Sequence, residues 1–171
     1  MTVEFDHKRN IQSVCGPAAA VSLVFSAEIP RSVLDVGCGS GAWLKAFQEL
    51  GVSDYLGIDG VRLAPTDLLF DPSKFKAIDL TEPWSLGRTF DVVLCLEVGE
   101  HLPDRVAEML VTSLCAHANT VIFSAACPGQ EGQGHINCQW PSYWQALFNR
   151  NGFECVDDIR PVIWGNTDIE V

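Results

Sequence analysis

The run Ser32-Val33-Leu34-Asp35-Val36-Gly37-Cys38-Gly39-Ser40-Gly41, leading into Ala42-Trp43-Leu44-Lys45-Ala46-Phe47, limits the fold more than any other stretch of the chain. The short apolar run reads as a strand covered on both faces, and the three glycines at alternate positions as a tight turn. Residues 42–47 have the pattern of a helix start. Glycine lets a backbone turn sharply and come against a ligand, because it lacks the Cβ that would clash. The first N–H groups of the helix then face the same crevice. Asp35 sits two residues before the first glycine, where a pyrophosphate-binding turn keeps an apolar residue. A carboxylate there repels phosphate and suits a cationic or donor-rich ligand. Tyr55-Leu56-Gly57-Ile58-Asp59-Gly60 is a second apolar run ending in an acid, the position from which such sheets accept ribose hydroxyls.

Taken in order, the chain alternates strand and helix patterns. Strands are expected at 32–36, 54–58, 74–78, 90–96, 120–124 and 153–159, with residues 160–164 continuing extended. Helices are expected at 18–25, with Pro17 in the first turn, and at 40–50, capped by Ser40 and stopped by Gly51. Two more are expected at 103–115 and from Pro141 to the Asn151-Gly152 stop. Val106, Leu110, Val111 and Leu114 recur at helical spacing. Pro65 marks a short helix or turn, and residues 125–137 a long glycine-bearing loop. Alternation of this kind implies an α/β fold with a mostly parallel sheet, right-handed crossovers and helices on both faces.

The 171 residues suffice for one domain, 1–171, whose first 13 residues read as a polar leader. Twenty-two acidic residues stand against 11 basic ones, a formal net charge of −11, which opposes a footprint for nucleic acid. The seven cysteines form no CxxC pair, so the expectation is reduced, mostly buried thiols and no zinc site. No signal peptide or membrane span is legible, which points to a cytoplasmic protein.

Four segments, VLDVGCGSG, LGIDG, AIDL (77–80) and FDVVLCLEVGEHL (90–102), stand in the order and spacing of the class I S-adenosylmethionine-dependent methyltransferases. The chain resembles that family from about residue 30 to 160. The resemblance implies a Rossmann-like methyltransferase fold with S-adenosyl-L-methionine as cofactor. It places Asp35, Gly37, Cys38, Gly39 and Gly41 at the methionine moiety, and Asp59 and Gly60 at the ribose. Asp79 would meet the adenine amino group with Leu80 against the ring, and Glu97 would close the site at the end of the fourth strand. For Asp79 the plainer reading is a helix cap. The family closes its sheet with a seventh strand, and this chain ends at Ile169-Glu170-Val171. A missing or truncated closing strand is therefore expected, with an incomplete sheet edge open to a homodimer.

Methyl transfer from a sulfonium needs the nucleophile held in line and relieved of its proton. Glu97, Glu100 and His101 stand at i, i+3 and i+4, so a helical turn would put them on one face. His135 arrives on the loop after the fifth strand. Glu97, His101 and His135 are the catalytic candidates. Glu97, Glu100, His101 and His135 together could hold a divalent metal such as Mg. The Glu-x-x-Glu-His pattern resembles that of ubiquinone-pathway O-methyltransferases and of RNA 3′-terminal 2′-O-methyltransferases, whose matching residues bind metal. The plainer reading has Glu100 capping the next helix and His101 packing beneath the cofactor. Asn137, Gln139, Trp140 and Tyr143 are expected at the acceptor, and one of Trp140 and Trp144, a helical turn apart, in the core. The expected function is methyl transfer to a small-molecule or sugar acceptor, at oxygen. The alternatives are an RNA-end 2′-O-methyltransferase with metal, and a protein that binds the cofactor without catalysis.

Overall fold

The structure is a computed structural model that describes residues 13–169. Its strands are β1 (Ser32–Val36), β2 (Asp54–Asp59), β3 (Phe75–Ala77), β4 (Val92–Leu96) and β5 (Val121–Ser124). They form one sheet in the order β3-β2-β1-β4-β5, and every neighbouring pair is parallel. The helices are α1 (Cys15–Val24), α2 (Ala42–Glu49), α3 (Ala107–Cys115), α4 (Pro141–Arg150) and α5 (Ile159–Ile163). Strand order reverses between β1 and β4, so the chain leaves these two strands toward opposite faces and opens a crevice beyond their carboxyl ends.

Strand side chains alternate between two apolar layers. Leu34, Val36, Ile58, Val93 and Cys95 pack with Leu110 and Leu114 of α3. Val33, Tyr55, Val92 and Leu94 pack on the other face with Leu44 and Phe47 of α2 and Val21 of α1. All five residues of β1 are buried, as a central strand requires. Phe47 is fully buried, and burying such a ring contributes about 2–3 kcal/mol.

Several expectations are corrected. No strand forms at 153–158, and 159–163 is the helix α5, so the sheet has five strands and β5 is an edge among the described residues. The physical reason is local. The N–H of Phe153 bonds to the Phe148 carbonyl and its ring packs on Phe148, so the chain stays on α4. Asp157 pairs with Arg160 across the first turn of α5, and Pro161, with its fixed φ, fits a helix start. Ser40 does not cap α2. Gly41 is the N-cap, in the left-handed region at φ 86°, and the Ser40 carbonyl accepts the Leu69 N–H instead. The expected 103–115 helix opens with a 3-10 turn, Asp104–Val106, before α3. The strand expected from residue 90 begins at Val92, because the Phe90 N–H goes to His117 and the Asp91 N–H to Ser32. The thiols are less buried than expected: Cys38 and Cys95 are buried, Cys15 and Cys155 exposed, and all seven are free. The expected leader lies outside the described residues except for Ser13. No described helix is long and apolar enough to cross a membrane.

Candidate active site

The carboxyl ends of β1 and β2 are joined by the glycine turn. The N–H groups of Gly37 and Cys38 both bond to the Ile58 carbonyl, and the Gly39 N–H reaches Asp59 Oδ2 at 2.9 Å. Asp59 Oδ1 accepts the Val61 N–H at 2.7 Å. This buried carboxylate is thus held by backbone from both strands, in the crevice at the switch point. Gly60 beside it meets only the Ile78 carbonyl, 3.9 Å from where a Cβ would be.

The other turn residues have different reasons to be where they are. A Cβ on Gly37 would lie 2.3 Å from Val98, and one on Gly41 would lie 2.1 Å from the Phe70 ring, so the protein's own side chains fill those spaces. The Cys38 thiol points into the core, where a Cβ on Gly57 would stand 2.8 Å from its sulfur. Burial, then the charges of Asp35 and Asp59, push that thiol well above the ordinary range. Cys38 therefore faces the crevice through backbone alone. Asp35 is buried with Oδ2 lacking a hydrogen-bond partner. Burial, with the nearby Asp59 charge, pushes it up to about 8. Asp79 is exposed and accepts the N–H and hydroxyl of Thr81, which hold its pKa below the usual carboxylate range. That is a turn rather than a helix cap. The Leu80 side chain belongs to the core layer under α3, so it is not placed to cover a ring.

Beyond β4 the chain makes a 3-10 turn, Gly99–His101, rather than the helical turn expected to align three residues. Glu97 precedes it at φ 55°, the one non-glycine with positive φ among the described residues. Its N–H bonds to both the carbonyl and hydroxyl of Ser124, and its Oε1 accepts the Ser124 hydroxyl at 2.7 Å. Glu97 is thereby tied to β5, and its carboxylate also interacts with that of Glu100. Glu100, His101 and His135 do gather: each offers a ligand atom within 4.8 Å of the others. Glu100 is completely buried, and neither of its carboxylate oxygens has a hydrogen-bond partner. Burial pushes it up to about 7, and the Glu97 charge acts in the same direction. It caps no helix.

The two imidazoles are oriented by the loop after β5. His101 Nδ1 lies 3.3 Å from the Gly134 carbonyl, and His135 Nδ1 3.2 Å from the Gln130 carbonyl. A carbonyl can only accept, so in both pairs the imidazole Nδ1–H donates. The rings meet edge to face at 5.1 Å. The Glu100 carbonyl accepts the N–H groups of Ile136 and Asn137, tying the loop to the turn after β4. Asn137, expected at the acceptor, is buried, bonded to the Gly99 carbonyl and to Gln139. Tyr143 is bonded to Asp104, away from the imidazoles' loop. Trp144 is the core member of its pair, packed over Gly99 and Phe123, and Trp140 is exposed. The carbonyls of Gln130 and Gly134 and the hydroxyl of Ser124 were not foreseen. Only the density of glycines ahead of His135 hinted at them.

A five-stranded parallel sheet with a glycine turn and acid-tipped strands at its switch point is an open α/β sheet of the nucleotide-binding kind. The methyltransferase-domain family matches residues 6–158, and the chain belongs to that family. A ubiquinone biosynthesis O-methyltransferase of Rhizobium etli is 31% identical over 99 residues, 54% of this chain, and the chain spans only 40% of that protein. Among solved structures, a SAM-dependent methyltransferase from Archaeoglobus fulgidus superposes with a TM-score of 0.66 at 19% identity, over 86% of this chain and 72% of its own. Magnesium protoporphyrin IX methyltransferase from Synechocystis, solved with bound SAM, gives 0.59 at 23% identity, over 81% and 67%. These two likenesses speak for the fold.

Proposed function

We propose that this domain is an S-adenosylmethionine-dependent methyltransferase that alkylates an oxygen of a small-molecule acceptor. The observation that carries the reading is the Asp59 carboxylate, buried at the switch point and held by the N–H groups of Gly39 and Val61, on the same sheet rim as the Glu100–His101–His135 cluster. Asp59 is poised for the ribose hydroxyls, with Gly60 open beside them. The backbone of Gly37–Gly41 borders the methionine moiety, and Asp35 the ammonium group. Asp79 borders the adenine. The O-methyltransferase relative and the SAM-bound neighbour support the cofactor and the acceptor atom. The excess of acidic residues favours a neutral or cationic small acceptor over nucleic acid.

In the reaction the acceptor oxygen attacks the methyl carbon in line with the departing sulfur. The O–C bond forms as the S–C bond breaks, and the electron pair stays on the sulfur of the neutral thioether. The hydroxyl proton passes to the imidazole of His135, whose Nδ1–H is committed to the Gln130 carbonyl, with His101 beside it. Glu97, locked to Ser124, borders the cofactor side of the same crevice. Replacing Asp59 by Ala is expected to weaken S-adenosylhomocysteine binding at least tenfold, about 1.4 kcal/mol, by titration calorimetry. Unchanged affinity would remove Asp59 from the cofactor site and the reading with it.

The donor set also fits a divalent cation. Two buried carboxylate oxygens without partners, beside two imidazoles, are costly until a proton or a cation satisfies them. Glu100, His101 and His135 would hold the ion, and imidazole nitrogens suit Mn or Zn better than Mg. Such an ion would lower the pKa of an acceptor hydroxyl. Mn binding by the wild-type chain, lost in Glu100→Ala, is the expected result. Full methyl transfer after chelation would rule the metal out of the reaction.

A further inference from the structure

We infer that Gly132 is a positioning residue for His135: its missing side chain is the seat in which the imidazole rests. The inference rests on the reading of His135 as a proton acceptor near the transferred methyl. A Cβ built on Gly132 would stand 2.1 Å from His135 Nε2, 2.3 Å from Cε1 and 2.7 Å from Cδ2. No ring can stay there against a methyl group. The backbone of Gly132 is outside the left-handed region, unlike Gly129 at φ 93° and Gly134 at φ 72°, so alanine meets no conformational penalty of its own. What makes residue 132 glycine is the ring and nothing in the turn geometry.

The surrounding loop is fixed at both ends, which gives the seat its meaning. At the start, the Gln130 N–H bonds to the Cys127 carbonyl while its side-chain oxygen accepts the Cys127 N–H at 2.6 Å. At the end, Ile136 and Asn137 donate to the Glu100 carbonyl. Between these anchors the Gln130 carbonyl holds His135 Nδ1 at 3.2 Å, and Gly132 lies against one face of the ring at its Nε2 end. A hydrogen bond at the Nδ1 edge and a bare α-carbon against one face set the ring's direction toward His101 and Glu100. A methyl at residue 132 would strike the ring face and swing the ring off the Gln130 carbonyl. The rest of the loop would remain tied.

The test compares wild type, Gly132→Ala, His135→Ala and the double variant in the full chain. Imidazole 15N resonances are recorded with S-adenosylhomocysteine as the added ligand. Transfer is measured with labelled S-adenosylmethionine against a panel of phenols, catechols and free sugars. In wild type, His135 is expected as the fixed Nδ1–H form. In Gly132→Ala its two nitrogens should move toward the averaged values of a free histidine, with S-adenosylhomocysteine affinity within about twofold of wild type. Transfer should fall on the order of 100-fold in kcat, as in His135→Ala. The double variant should be no worse than His135→Ala, because the clash has no ring left to displace. Unmoved His135 resonances in Gly132→Ala overturn the inference whatever the activity does. Full transfer by His135→Ala, with resonances moved in Gly132→Ala, removes the role of His135 in the reaction while the seat stands.

Discussion

Two glycine-rich segments flank the crevice, and they use the same residue for opposite ends. After β1, Gly37 and Gly41 make room for Val98 and Phe70, so the turn is locked by apolar packing beneath the site. After β5, Gly132 makes room for a half-exposed imidazole, and the loop is held by backbone hydrogen bonds rather than by a core. The first segment should therefore report on stability when altered, and the second on chemistry. Glycine content alone does not distinguish them. The occupant of the missing Cβ position does.

The largest effect is expected on the packed side, at Asp35. Its ordinary pKa of 3.8 is raised to about 8 in the folded protein, so between those values the native state keeps a proton that the unfolded chain has released. The contribution of this group to stability is full below about pH 4, declines as pH rises, and levels off above about pH 8, a total on the order of 5 kcal/mol. Chemical denaturation of the apoprotein across this range should show the decline, and Asp35→Asn should make it shallower, leaving the smaller share of Glu100. A slope unchanged by the substitution would mean that the acid is not buried as described.

Next in size is Gly41→Ala, which combines a left-handed φ of 86° with a 2.1 Å approach to the Phe70 ring. A loss of about 3 kcal/mol in unfolding free energy is expected, read from the shift in denaturant midpoint. The smallest stability effect belongs to Gly132→Ala, less than about 1 kcal/mol, since only the far end of one side chain has to move. If the two alanines cost the same, the contrast between a packed turn and a hydrogen-bonded seat fails. A loss at Gly132 confined to transfer would sharpen it.

Much of this architecture is legible along the chain. β1 lies where the apolar run Ser32–Val36 places it, α4 starts at its proline, and Asp59 closes β2. These elements are dictated by local pattern: buried parallel strands are continuous apolar runs, and glycine and proline mark their limits. The alternation of 153–164 suits a strand, yet no neighbour pairs with it, and contacts with α4 and the Asp157–Arg160 pair decide otherwise. The i, i+3, i+4 spacing of Glu97, Glu100 and His101 does bring Glu97 beside Glu100, but through a residue at φ 55° and a 3-10 turn that also tie Glu97 to Ser124.

The sequence alone determined the class of fold, the switch-point crevice and the acids that tip its strands, since these depend on periodicity and turn chemistry along one segment at a time. Only the tertiary structure decided which acids act together and why each glycine is a glycine. Those answers depend on atoms brought together from segments distant in the chain: Phe70 on Gly41, Ser124 on Glu97, and His135 beside His101 and Glu100. No spacing rule encodes a contact whose partner lies on another element of the fold.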